Sequence, residues 1–249
     1  MVATMDLTLA GGAAGFTCRG TVQGQRLGGR RLLLLFGERH SLKPFIRDAL
    51  LNVIELDRLG VLSCVGVEDH PGKDIPGWES QRAFESLQEE PGTDDEKMVE
   101  GMLRALRGRN YYFWKTLVLI RPDLKVRSVD DGELCDRAAA LEGLWGGSRY
   151  EYIRDRLRRS DLFEVAGIEP RPADRDLQID ARVALQFEQE WAEHEVNVAR
   201  DGKMLENLPA LWDEAGPEKV AVLNAGSSHQ WRIARRLPAD IGHYHIEQP

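Results

Sequence analysis

The chain is poor in cysteine, and its three cysteines, Cys18, Cys64 and Cys135, are far apart. No Cys-x-x-Cys pattern occurs, which excludes a disulfide framework and a thiolate metal site and fits a reducing compartment. Long apolar runs are missing as well. The longest, Leu32 to Phe36, is far too short to cross a bilayer. Residues 1–14 lack a basic leader region and a continuous apolar block, so a cytoplasmic location with no membrane partner is expected. Positive charge is in deficit, with a net charge of -8, which excludes the basic face that nucleic-acid binding requires.

What remains is a globular composition, with 42% hydrophobic and 30% charged residues over 249 positions. That length suits one α/β domain spanning 1–249. Residues 1–30, broken by glycines, read as a β-hairpin or cap. Residues 31–36 are a short apolar run of the kind found in strands buried on both faces. A helix follows Ser41, with Pro44 in its first turn and Phe45, Ile46, Ala49, Leu50, Val53 and Ile54 at helical spacing; Gly60 ends it. Residues 61–67, 124–129 and 218–223 read as three more strands, and 244–247 as a last edge strand. Residues 71–120 and 138–180 read as helical insertions, the second interrupted at Gly146-Gly147, and 178–208 as one long helix or two short ones. Strands alternating with helices imply a three-layer α/β fold, with a central parallel or mixed sheet and helices on both faces.

In such sheets ligands bind beyond the carboxyl ends of the strands. The four inner strands run into Gly37-Glu38-Arg39-His40, Glu68-Asp69-His70, Asp130-Asp131 and Gly226-Ser227-Ser228-His229. Parallel strands bring these ends to one rim. Imidazoles and carboxylates there offer two chemistries. They can hold a divalent metal (Mn, Co, Fe or Zn), with His40, Glu68 and His229 as ligands. They can also act without metal, a histidine taking a proton from water while a carboxylate orients its ring. Each group also has a structural reading. His40 and His229 could cap or pack, Glu68 could pair with Arg39, and Asp130 could serve a turn. On the helix before the fourth strand, Asn197, Arg200, Met204 and Asn207 share one face. Arg200 would there bind an anionic group, or merely belong to a surface stripe.

These motifs resemble the superfamily that joins erythromycin-esterase-like proteins, Tiki and TraB proteins and ChaN haem-uptake proteins. The resemblance rests on "LLLLFGERH", "VGVED", "VRSVDD", and "ARDGKMLENLPALW" followed by "KVAVLNAGSSHQWRIARRL". It implies two Gly-x-x-His motifs facing each other across a site. Glu38 and His40 are then catalytic-type residues and Glu68 and His229 their partners. Arg39, Arg200 and Asp130 would bind substrate. Esterase-like members carry a different residue before the histidine, where this chain has Arg39. Tiki and TraB proteins are membrane-attached and ChaN proteins are exported. The expectation is a hydrolase acting on an ester, amide or peptide bond of a small molecule or peptide, placed in a biosynthetic pathway. The alternative is a haem- or metal-binding protein of the ChaN type without turnover. Substrate and oligomeric state are not legible in the sequence.

Overall fold

The structure is a computed structural model. It describes residues 2–9, 12–26, 28–38, 43–68, 94–105, 113–159, 172–212, 216 and 219–247, and statements of absence below refer to those residues. The chain divides into two compact units, residues 1–131 with 203–249, and residues 132–202.

The first unit is the α/β body. β4 (Arg31–Glu38) and β7 (Val220–Gly226) lie side by side and parallel, Leu32 against Val220 through Glu38 against Gly226. β5 (Leu62–Val67) joins the other edge of β7, and β6 (Val126–Ser128) joins β5, both parallel. β8 (Ile241–Glu247) runs parallel along β4, and β3 (Thr21–Arg26) closes the sheet antiparallel to β8. The resulting order is β3-β8-β4-β7-β5-β6.

Apolar residues on both faces of β4 explain its central place. Leu32, Leu34 and Phe36 pack into one core with α1 (Lys43–Arg58), α2 (Asp95–Ala105) and α3 (Phe113–Ile120). Leu33 and Leu35 pack into a second core with α7 (Ser227–Arg236), the 3₁₀ turn Leu208–Leu211 and Met204. Leu33, Leu34, Leu35 and Phe36 are fully buried, which contributes roughly 1.5–3 kcal/mol for each side chain. Helices on both faces make this a three-layer α/β fold.

α1 ends as its sequence requires. Gly60 takes φ +67°, a conformation that glycine adopts at little cost, and its N–H donates to the Asp57 carbonyl. A hairpin of β1 (Val2–Leu9) and β2 (Gly12–Arg19) adds Leu7, Phe16 and Cys18 to the α1-side core. Asn52 of α1 fastens it. Its side chain accepts from the Arg19 N–H and donates to the Arg19 carbonyl, both at 2.8 Å.

The second unit holds α4 (Gly132–Arg159), α5 (Pro172–Ala192) and the first part of α6 (Glu195–Asn207). Its core is Ile153, Ile179 and Val183, flanked by Tyr150 and Phe187. Arg149 bonds Glu190 at 2.6 Å, and that guanidinium holds the Glu190 carboxyl below its ordinary range.

Several elements differ from expectation. α4 is continuous through Gly146-Gly147. Helical glycine costs about 1 kcal/mol, and packing against α5 offsets it: a side chain at Gly146 would meet the Phe187 ring at 3.6 Å. The strand expected over 124–129 is β6, only three residues long and at the edge of the sheet. Asn224, Ala225 and Gly226 lie inside β7 rather than after it. Over residues 178–208 two helices form, one of the two arrangements expected, and a 3₁₀ turn follows from Leu208. β8 is an inner strand, not an edge, because β3 covers its outer side. Residues 71–93 of the first expected helical insertion lie outside the described residues.

Candidate functional site at the strand ends

Sheet register decides which strand ends meet. Glu38 pairs with Gly226, Gly37 with Glu247, and Val67 with both Asn224 and Ser128. The ends of β8, β4, β7, β5 and β6 therefore form one rim. Glu68 follows β5 on it, Asp130-Asp131 follow β6, and Ser227 to His229 follow β7.

Glu68 is half-buried, and its Oε2 accepts the backbone N–H of Gly226 at 2.5 Å. Gly226 caps the N-terminus of α7 and lends no side chain to the exposed N–H groups there. A carboxylate suits that place, because it meets an otherwise unpaired donor and the positive end of the helix dipole. Glu68 thus ties the end of β5 to the β7–α7 turn across 158 positions of sequence.

His229 lies in the first turn of α7 and is buried. Its Nδ1 is 3.3 Å from Nη2 of Arg232, one turn on. A guanidinium only donates, so this contact makes Nδ1 the acceptor and assigns the ring proton to Nε2. The ring is then a donor through Nε2. Metal ligation through Nε2 requires the opposite tautomer, with a proton on Nδ1 facing the guanidinium.

The other expected residues divide clearly. Glu38 is described by its backbone position alone; Arg39 and His40, as well as Asp69 and His70, lie outside the described residues. Asp130 is buried, and its Oδ1 accepts the Asp131 N–H at 2.8 Å in the turn before α4. Arg200 belongs to the second unit, where Nη1 donates to Oδ1 of buried Asn197 at 3.3 Å, and Asn197 donates to the Trp191 carbonyl. Met204 is in the core of the first unit. Asn207 donates to the Val129 carbonyl at 3.0 Å and so braces the turn that carries Asp130.

None of the family models, curated proteins or solved structures compared with the chain matches it. The quoted motifs alone carry the superfamily resemblance. Among the described residues no group of three or more His, Cys, Asp or Glu side chains gathers to hold a metal, and no helix is long and apolar enough to cross a membrane.

Sequence reading passed over two groups. His243 and His245 of β8 are buried, and burial, followed by the neighbouring charge of Arg26, lowers the basicity of His243. Burial, followed by His243, pushes His245 down to about 4. The available signal was the alternation Ile241, His243, His245 against Tyr244, Ile246, which puts both imidazoles on one strand face.

Proposed function

We propose that the rim is the active site of a hydrolase of the superfamily its motifs resemble, cleaving an ester, amide or peptide bond of a small molecule or peptide. His40 takes a proton from water, and the water oxygen attacks the carbonyl carbon. Glu38 orients His40. The His229 Nε2–H donates to the oxyanion that forms. The proton on His40 then passes to the leaving group as the bond to carbon breaks. Arg39 is assigned to an anionic part of the substrate. The carrying observation is the Glu68–Gly226 hydrogen bond, with Glu38 paired to the same Gly226, which joins the ends of three strands at the turn leading to His229. The donor tautomer of His229 favours this histidine–glutamate route over a metal ligated by His40, Glu68 and His229.

The test is turnover of an ester and peptide panel by wild type, His40→Ala and His229→Ala. Loss of about a hundredfold or more in each variant is expected from removal of a general base or an oxyanion donor. Equal residual rates would overturn the assignment. A Soret band on adding haem, without turnover, would point instead to ligand binding of the ChaN type.

A further inference from the structure

β8 carries a second constellation that the proposed hydrolase does not use. Ile241 packs in the α7-side core, while Tyr244 and Ile246 pack in the α1-side core. Strand alternation therefore turns His243 and His245 to the α7 side, with Cα atoms about 6.5–7 Å apart. His243 is 8% exposed and His245 1% exposed. Nδ1 of His243 and both ring nitrogens of His245 have no hydrogen-bond partner. A buried polar group without a partner costs about 1–3 kcal/mol; each neutral ring carries one lone pair and one N–H, so the two rings offer one electron pair each to a ligand that needs them.

The surroundings leave room for one. Gly24 of β3 pairs with His245, and a Cβ placed there would meet nothing within 4 Å. The cross-strand position beside His245 is therefore open. Trp231 of α7 meets the His245 ring edge to face at 4.4 Å and is itself 42% exposed. The nearest cation, Arg26, pairs with His243, but its guanidinium is committed to the carbonyls of Leu237, Pro238 and Ile241.

We propose that His243 and His245 chelate one borderline divalent cation, of the zinc, cobalt or nickel class, on the α7 face of β8. Two imidazoles from positions i and i+2 of one strand reach a single ion, and neutral imidazole suits these metals. Burial keeps both rings neutral at pH 7, the ligating form. Two protein ligands leave coordination positions for water or a small ligand beside Gly24. The Arg26 charge weakens the site, so its metal is exchangeable.

The test uses the full chain carrying His40→Ala/His229→Ala, so that the rim histidines cannot contribute. Titration with cobalt(II) is followed by visible absorbance and tryptophan fluorescence, and zinc(II) by calorimetry. One equivalent is expected, with quenching that Trp231→Phe removes. Adding His243→Gln or His245→Gln weakens binding by more than about tenfold, or 1.4 kcal/mol. Imidazole nitrogen resonances of His243 and His245 shift with zinc(II) in the unsubstituted chain, which reads the site even if a variant fails to fold. Absence of binding in the rim double variant, binding indifferent to both β8 substitutions, or unmoved resonances would each overturn the proposal. Turnover by the rim is scored separately and does not bear on this result.

Discussion

Glu68 and Gly226 meet at 2.5 Å, carboxylate to backbone N–H, although one follows β5 and the other ends β7. The bond seats a negative charge at the N-terminus of α7, whose first turn carries His229. Charged acceptors form the stronger hydrogen bonds. Glu68→Ala should lower stability by about 1–2 kcal/mol in urea unfolding. Glu68→Gln keeps an acceptor and should cost less. No loss in Glu68→Gln would mean that the charge contributes nothing, and equal losses in the two variants would mean that a neutral acceptor recovers nothing.

β8 makes stability depend on pH. His245 titrates near 4 in the folded chain and near 6.5 when unfolded, and His243 is shifted in the same direction. The unfolded chain therefore binds more protons between those values. Stability is fully present above about 6.5 and is lost as pH falls towards 4, by about 3 kcal/mol from His245. Urea midpoints at several pH values should fall across that window in wild type and flatten in His245→Gln. A wild-type midpoint unchanged from pH 7 to 4.5 would contradict the burial of a neutral imidazole.

Asn52 is fully buried and makes both bonds to Arg19 that hold the β1–β2 hairpin. Asn52→Ala removes both and strands the Arg19 backbone groups, at about 2–3 kcal/mol. Asn52→Asp loses the donor and buries a charge, and should cost more. Hydrogen exchange should show the excess concentrated in β1 and β2.

Two adjacent glycines separate strain from clash. Gly28 takes φ +92° with open space around its missing side chain. Gly29 takes φ +143°, and a Cβ there would meet the Asp240 carbonyl oxygen and the Gly242 nitrogen at 2.7 Å. Gly28→Ala should cost about 1 kcal/mol, the price of backbone strain alone. Gly29→Ala must also displace backbone and should lower the melting temperature several times further. Equal shifts would show that the two turns of chain are less tightly set than this.

The apolar runs of β4, β5 and β7 and the helical spacing of α1 were legible in the chain because each satisfies its environment with neighbouring residues alone. The same runs imply parallel strands, and with them a common rim for Glu38, Glu68, Asp130 and His229. What the rim groups do was not legible. Glu68 accepts a backbone N–H 158 positions away, and Oδ1 of Asp130 accepts the N–H of the adjacent Asp131. Arg200 is tied to Asn197. Such choices depend on partners distant in sequence, or on which of several local partners wins.

β8 shows the limit most sharply. Residues 244–247, a short stretch at the end of the last helix–strand alternation, read as an edge strand. Only the antiparallel addition of β3, 215 positions away at the Arg26–Ile241 contact, and the placing of Trp231 over His245 bury it. Local pattern thus determined which segments become strands and helices. Tertiary structure decided which polar groups lose their water, because burial depends on what the rest of the chain lays against them.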